Sequence, residues 1–262
     1  MGIRINTFSW SLALLSLPLI ALIVLPLTKM VFTPTLADLW ESLQDPLVVG
    51  TIGRSLGTAL AAALICFIFG TPLAYLMARK HFPGKSVVEA VIDLPIMIPH
   101  PVIGIAILSL AGRNHPIGRF LADMGIEVMG TLTGIIAVLT FVGMPFYINT
   151  VKAGFEAIPE RLENVSRSLG ASMCATFFRI TFPLAWRSIM LGMIMCTARA
   201  ISEFGAVIIV AYHPMTAPVL IYERFTAYGL KYSQPVSVWL IGVSLVLFVG
   251  MRFFSRPGRE AA

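Results

Sequence analysis

RLENVSRSLGASMCATFFRITFP, residues 161–183, is a polar, helix-prone stretch of 23 residues held between long apolar runs. A chain that only had to cross a bilayer would join two spans with a short loop. This stretch instead carries a glycine near its middle, Gly170, and a proline at its end, Pro183. Leu162, Val165 and Leu169 recur at i, i+3 and i+7 and give one apolar stripe. Glu156, Glu160 and Glu163 precede Arg161, Arg167 and Arg179, the order that complements the dipoles of one or two short helices. Gly170 lets the chain turn sharply or another backbone approach. Pro183 is expected to stop the second helix and start the climb back into the membrane. This layout suits a docking surface for a soluble partner. An amphipathic helix lying on lipid headgroups would explain the stripe but not the glycine and proline around it.

Outward from this stretch the chain is apolar. Of 262 residues 57% are hydrophobic and only 12% charged, which is not a soluble composition. A hydrocarbon core of ~30 Å needs ~20 consecutive apolar residues in a helix, and helices satisfy their own backbone there. Spans are expected at about 8–32, 55–78, 88–111, 131–152, 187–211 and 234–254, an all-α polytopic membrane protein with about six transmembrane helices. One membrane domain over 1–262 is the economical division, with the polar loop at about 153–186. The first run is too long for a signal-peptide core and lacks a small-x-small cleavage site, so it is read as a retained helix. Gly53 and Gly57, four apart, suit close helix packing and need no functional role.

The net charge of +6 comes without a basic cluster interleaved with aromatics, so it speaks for membrane orientation rather than nucleic acid. With the amino terminus inside, Arg4, Arg79, Lys80, Lys85, Lys152, Arg161, Arg167, Arg179, Arg187, Arg252, Arg256 and Arg259 are cytosolic. Only Lys29, Arg54, Arg113, Arg119, Arg224 and Lys231 are then outside. That bias places both termini and the 153–186 loop in the cytosol. Cys66, Cys174 and Cys196 are scattered and suggest neither a disulfide framework nor a metal site.

Two features lie at bilayer depth. In the third span Pro95, Pro99 and Pro101 fall within seven residues, and Val102 to Leu110 is too short to cross alone. A helix broken there, near its cytosolic end, either lines a water-filled cavity that satisfies the freed carbonyls or simply turns at the interface. Pro145 and Asn149 repeat the pattern more mildly in the fourth span. Arg199 and Glu203, four apart in the fifth span, form either a self-neutralising packing pair or a positive charge beside an anion's route, with Thr197 and Ser202 as hydroxyl donors.

Enzymatic signatures are missing from the sequence. Gly84-Lys85-Ser86 imitates the end of a phosphate-binding loop, but the earlier glycine position is Arg79. His81, His100, His115 and His213 have no metal-ligand spacing, and no nucleophile–base pair or HExxH sequence appears. Asn164-Val165-Ser166 matches a glycosylation acceptor on the wrong side of the membrane. An ion-gradient-driven transporter would bring inverted repeats and a midplane cluster of titratable groups. No repeat is found, and only Arg199–Glu203 qualifies as such a cluster.

The polar loop resembles the cytoplasmic coupling loop of permease subunits in binding-protein-dependent ABC importers, E-A-A, three residues, G, nine residues, I-x-L-P. Gly170, Ile180 and Pro183 stand at matching spacing, with Phe182 in the leucine position. Asn164, Val165 and Ser166 occupy the E-A-A positions, and the acid is displaced by one to Glu163. GTPLAYLMARKHFPGKSVVEAVIDLPIMIPH, ARAISEFGAVIIVAYHP and APVLIYERF are similar to the molybdate and tungstate permeases, with sulfate permeases as nearest cousins. The resemblance implies a type I importer permease in a prokaryotic cell membrane, working as a homodimer. It also implies two cytosolic P-loop ATPase subunits, which hold ATP and Mg while this chain binds no cofactor, and an extracytoplasmic oxyanion-binding protein. Carried over, the coupling residues are Glu160, Glu163, Asn164, Val165, Ser166, Leu169, Gly170, Ala171, Ile180 and Pro183. Arg199, Glu203, Thr197, Ser202 and Pro99 are expected to border the path.

Overall fold

The computed structural model describes residues 7–112 and 114–254, and every regular element among them is helical. The termini, and with them the expectation that both are cytosolic, lie outside the described residues, as do Arg4, Arg113, Arg256 and Arg259.

The chain opens with α1 (Thr7–Phe32), apolar all round and scarcely covered by the rest of the protein, as a helix facing hydrocarbon is. A short amphipathic helix, α2 (Leu36–Gln44), follows. Thr35 caps it reciprocally with Asp38: the Asp38 amide donates to Thr35 Oγ1 at 3.1 Å and the Thr35 amide to Asp38 Oδ2 at 2.9 Å. The Thr35 hydroxyl, which donates to Asp38 Oδ2 at 2.6 Å, and the Thr35 amide hold the Asp38 carboxyl below its ordinary value. Asp45 caps α3 (Pro46–Arg79), which starts well before the expected boundary. At ~1.5 Å per residue α3 is about 50 Å long, more than a ~30 Å core requires, and its end carries Arg79 out of the membrane.

The third span is two helices, α4 (Lys85–Met97) and α5 (His100–Ala111), meeting at 114°. Pro95 is accommodated inside α4, and the break falls at Ile98–Pro99, where both residues turn extended. After α6 (Pro116–Asp123) comes α7 (Leu132–Glu156), the most buried of the long helices. The polar loop contributes α8 (Glu160–Ser168). The fourth long helix, α9 (Met173–Ile201), is followed by the short α10 (Gly205–Val210), then α11 (Ala217–Tyr228) and α12 (Leu230–Phe254). Among the described residues five helices are long and apolar enough to cross a membrane, or six if the bent pair is counted as one span.

Several expectations are corrected. Pro183 does not stop a helix: it lies inside α9, directly after a π-helical turn at Phe177–Thr181. The same device precedes Pro72 in α3, at Cys66–Gly70. A proline ring crowds the carbonyl four residues back and cannot donate to it, and one extra residue per turn moves that carbonyl aside. The expected fifth span, 187–211, is therefore shifted: its helix begins at Met173 and ends at Ile201. Gly53 and Gly57 face open space. The close approach of helices occurs instead between α7 and α9, where a Cβ on Gly143 would meet Cys196 Sγ at 2.5 Å and one on Gly154 would meet Ser188 Cβ at 2.1 Å. Nor are the thiols all scattered: Cys66 and Cys196 are neighbours in one buried core with Tyr147, Phe155 and Ile189. A second core joins α3, α5, α7, α10 and α11 through Ala59, Ile103, Val138, Val207 and Leu220.

Candidate functional site

Two places gather side chains that packing alone does not require. The first surrounds α8. Its first turn holds Glu160 and Glu163 and its last turn Arg167, matching the helix dipole. Glu163 points back into the protein. Its carboxylate accepts from Arg79 Nε at 2.9 Å and from the Tyr75 hydroxyl at 3.0 Å, while Arg79 Nη2 donates to the Ile158 carbonyl at 2.9 Å. Arg79 is buried and Tyr75 packs edge-on against Phe155 and Phe177. The end of α3 thus grips α8 from behind.

The far end of α8 closes as a Schellman turn. Gly170 has φ 93°, its amide donates to the Arg167 carbonyl at 3.0 Å, and the Ala171 amide reaches the Ser166 carbonyl at 3.2 Å. A glycine is needed here for its backbone angle, since an added Cβ would touch nothing. Ser166 Oγ lies 3.1 Å from Thr176 Oγ1, tying α8 to the first turn of α9.

With its inner face so held, α8 buries none of its own residues. The stripe of Leu162, Val165 and Leu169 faces out, with Leu169 84% exposed. Glu160 and Asn164 are also exposed, Ala171 and Ile180 are half-buried, and Pro183 is exposed on α9. The sequence reading missed Arg79 and Tyr75. Arg79 registered only as an orienting charge, and nothing in its local pattern points to a residue eighty-four positions away.

The second place is at mid-depth. Cys196 packs on Gly143, near the middle of α7, and Arg199 stands one turn further along α9. The break between α4 and α5 meets this level through His100. Arg199 Nη2 is 2.9 Å from Glu203 Oε2 and 2.7 Å from His100 Nε2. An imidazole accepting at Nε2 carries its proton on Nδ1, which is 3.3 Å from Glu203 Oε2. Glu203 Oε1 accepts from the Ala206 amide at 2.9 Å, so this carboxylate also caps α10.

The cluster is exposed on one side only. Glu203 has no exposed side-chain area, whereas Arg199 is 19% and His100 40% exposed. Ser202 is exposed beside Arg199, and Pro99 is exposed at the break. Thr197 is fully buried with its hydroxyl unpaired, so it faces packing rather than the open side. His100 is the residue sequence reasoning passed over. Its position directly after Pro99 was the available signal. Elsewhere Asn149 Nδ2 donates to Asp93 Oδ1 at 2.7 Å and Lys152 pairs with Glu89, joining α4 to α7. Among the described residues no group of three or more His, Cys, Asp or Glu is placed to hold a metal.

Residues 70–256 match the family described as binding-protein-dependent transport system inner membrane component. The chain is 47% identical over 238 residues to the molybdate/tungstate transport system permease protein WtpB of Pyrococcus abyssi, covering 90% of each. It is 31% identical to the sulfate transport system permease protein CysT of Synechocystis, covering 93% of this chain and 88% of that relative. In fold it is similar to a chain of the bacterial alginate ABC transporter solved with its pentasaccharide-bound periplasmic protein, at a TM-score of 0.76 and 17% identity over 94% of each chain.

Proposed function

The chain belongs to the family of binding-protein-dependent transport system inner membrane components, and from that premise we propose that this ABC importer permease carries a tetrahedral oxyanion, molybdate or tungstate, driven by ATP. The 47% identity to a molybdate/tungstate permease supports the cargo. A sulfate cargo is the second reading, favoured by the more distant identity to a sulfate permease.

In this reading the permease is a homodimer in the cell membrane with α8 on the cytosolic side, and it receives one P-loop ATPase subunit per copy. ATP and Mg bind the ATPases, and this chain holds no cofactor and has no catalytic residue. The observation that carries the coupling role is the exposed stripe of Leu162, Val165 and Leu169 on a helix clamped from behind by Arg79 and Tyr75. A helix apolar on its outer face and rigidly backed passes on force applied to it. Glu160, Asn164 and Val165 meet the ATPase, while Glu163, Ser166, Gly170 and Ala171 hold the shape that presents them. Ile180 and Pro183 belong to α9, which runs unbroken from the α8 junction to Arg199. Closure of the ATPase pair moves α9 and switches the path between outward- and inward-facing states, a change carried by a rigid element. The path passes the open side of the mid-depth cluster, where a cation is tolerated only against protein or water.

Reconstitution with the ATPase and binding-protein partners in liposomes tests this. ATP-dependent uptake of molybdate or tungstate in preference to sulfate is expected. Uptake of sulfate alone moves the cargo to the second reading, and ATP-independent uptake driven by an ion gradient overturns the importer mechanism.

A further inference from the structure

We propose that Arg199, Ser202 and His100 form a dianion-binding site inside the path, with His100 supplying by protonation the charge that the site otherwise lacks; this rests on the oxyanion reading above. The geometry divides the guanidinium in two. Nη2 makes the close contacts, to Glu203 and His100, while Nη1 is only within 3.5 Å of Ser202 Oγ and Nε makes no hydrogen bond among the described residues. Guanidinium nitrogens and a hydroxyl on the exposed side are the donors that grip a tetrahedral oxyanion. Glu203 is not part of that grip. Fully buried, bonded to Arg199 on one oxygen and to the Ala206 amide on the other, it is a positioning residue that fixes the fork between α9 and α10.

Charge sets the role of His100. Arg199 and Glu203 cancel, and a neutral imidazole adds nothing, so the resting cluster offers a dianion oriented donors without net positive charge. Ionisable groups that face His100 come from α9 (Arg199) and from the link to α10 (Glu203); α10 itself approaches with Gly205, whose Cβ position lies 3.0 Å from His100 Cβ. His100 is therefore the member of the cluster with a ring nitrogen that can take up or release a proton. An arriving anion draws Arg199 Nη2 away from His100 Nε2. The freed nitrogen takes a proton from water on the exposed side, giving an imidazolium whose Nδ1–H still faces Glu203. Departure of the anion returns that proton to water and Nη2 to the ring.

The test uses the full importer in liposomes, with tungstate as the probe and with uptake and binding-protein-stimulated ATP hydrolysis followed between about pH 5.5 and 8.5, a range that brackets ordinary histidine side chains. Wild-type uptake is expected to fall as pH rises, by up to about tenfold per unit, more steeply than ATP hydrolysis. His100→Gln is expected to take up tungstate at a lower rate with that excess dependence gone, and Arg199→Lys to lose uptake at every pH while hydrolysis continues. His100→Asn serves if the glutamine variant fails to assemble. A histidine variant that keeps the wild-type pH profile of uptake overturns the proposal. A wild-type complex that transports no oxyanion overturns the function itself, which keeps the two failures apart.

Discussion

Glu163 shows how one contact changes the meaning of a motif residue. Aligned by spacing it is the displaced acid of the coupling motif, yet its carboxylate is spent on Arg79 and Tyr75 within the same chain. Charge-assisted hydrogen bonds of this kind contribute about 1.5–3 kcal/mol each, and an unsatisfied buried partner costs a similar amount. Glu163→Gln is expected to lower thermal stability in detergent by about 1–3 kcal/mol and to loosen ATPase association through α8. Unchanged melting with lost association would instead make Glu163 a direct ATPase contact. Gly170 separates geometry from contact in the same way. At φ 93° an alanine is strained by roughly 1–2 kcal/mol, although its Cβ meets no atom within 4 Å. Gly170→Ala is expected to cost about that much stability and to reduce ATPase co-purification, and a variant indistinguishable from wild type would show the Schellman turn to be dispensable.

For helices, the informative contrast is between α8 and its neighbours. A helix that turns its apolar stripe outward forgoes about 25 cal/mol for each Å² left uncovered, a cost that the proposed ATPase partner would offset by covering the stripe. Val165→Asp and Leu169→Asp are expected to leave the melting temperature of the isolated permease within about 0.5 kcal/mol of wild type and to abolish co-purification of the ATPase. A loss of folding in both would show the stripe to be buried within the permease. The π turns before Pro72 and Pro183 belong to the same level of organisation. Each lets a long helix continue through a proline, and in α9 this keeps the segment next to α8 and the Arg199 cluster on one rod.

Across the entire protein, thiol accessibility reports both packing and sidedness. Cys174 is exposed beside α8, whereas Cys66 and Cys196 are buried between α3, α7 and α9. A membrane-impermeant maleimide is expected to modify only Cys174 in the folded chain, and only from the cytosolic face of sealed vesicles. Labelling from outside would invert the proposed orientation, and labelling of Cys66 or Cys196 would contradict the packing of α7 on α9. Protection of Cys174 on adding the ATPase would place the partner over the cleft of about 460 Å³ between α3, α8 and α9.

Membrane class, the helical content, the number of crossings and the polar loop with its glycine turn were legible in the linear sequence. Each depends on local hydropathy, on backbone preference or on spacing along one helix, and those quantities are set by neighbouring residues. Helix limits near prolines were not legible, because a π turn that rescues Pro183 has no reliable local signature. The partners of Arg79 and His100 were hidden for a different reason. Glu163 and Glu203 lie eighty-four and one hundred and three positions away, and charges that far apart become neighbours only when α3 meets α8 and the α4–α5 break meets the end of α9. Burial then decided which of the named polar residues face water, since Thr197, Arg199 and Glu203 are equally polar in sequence but only Arg199 keeps an exposed edge.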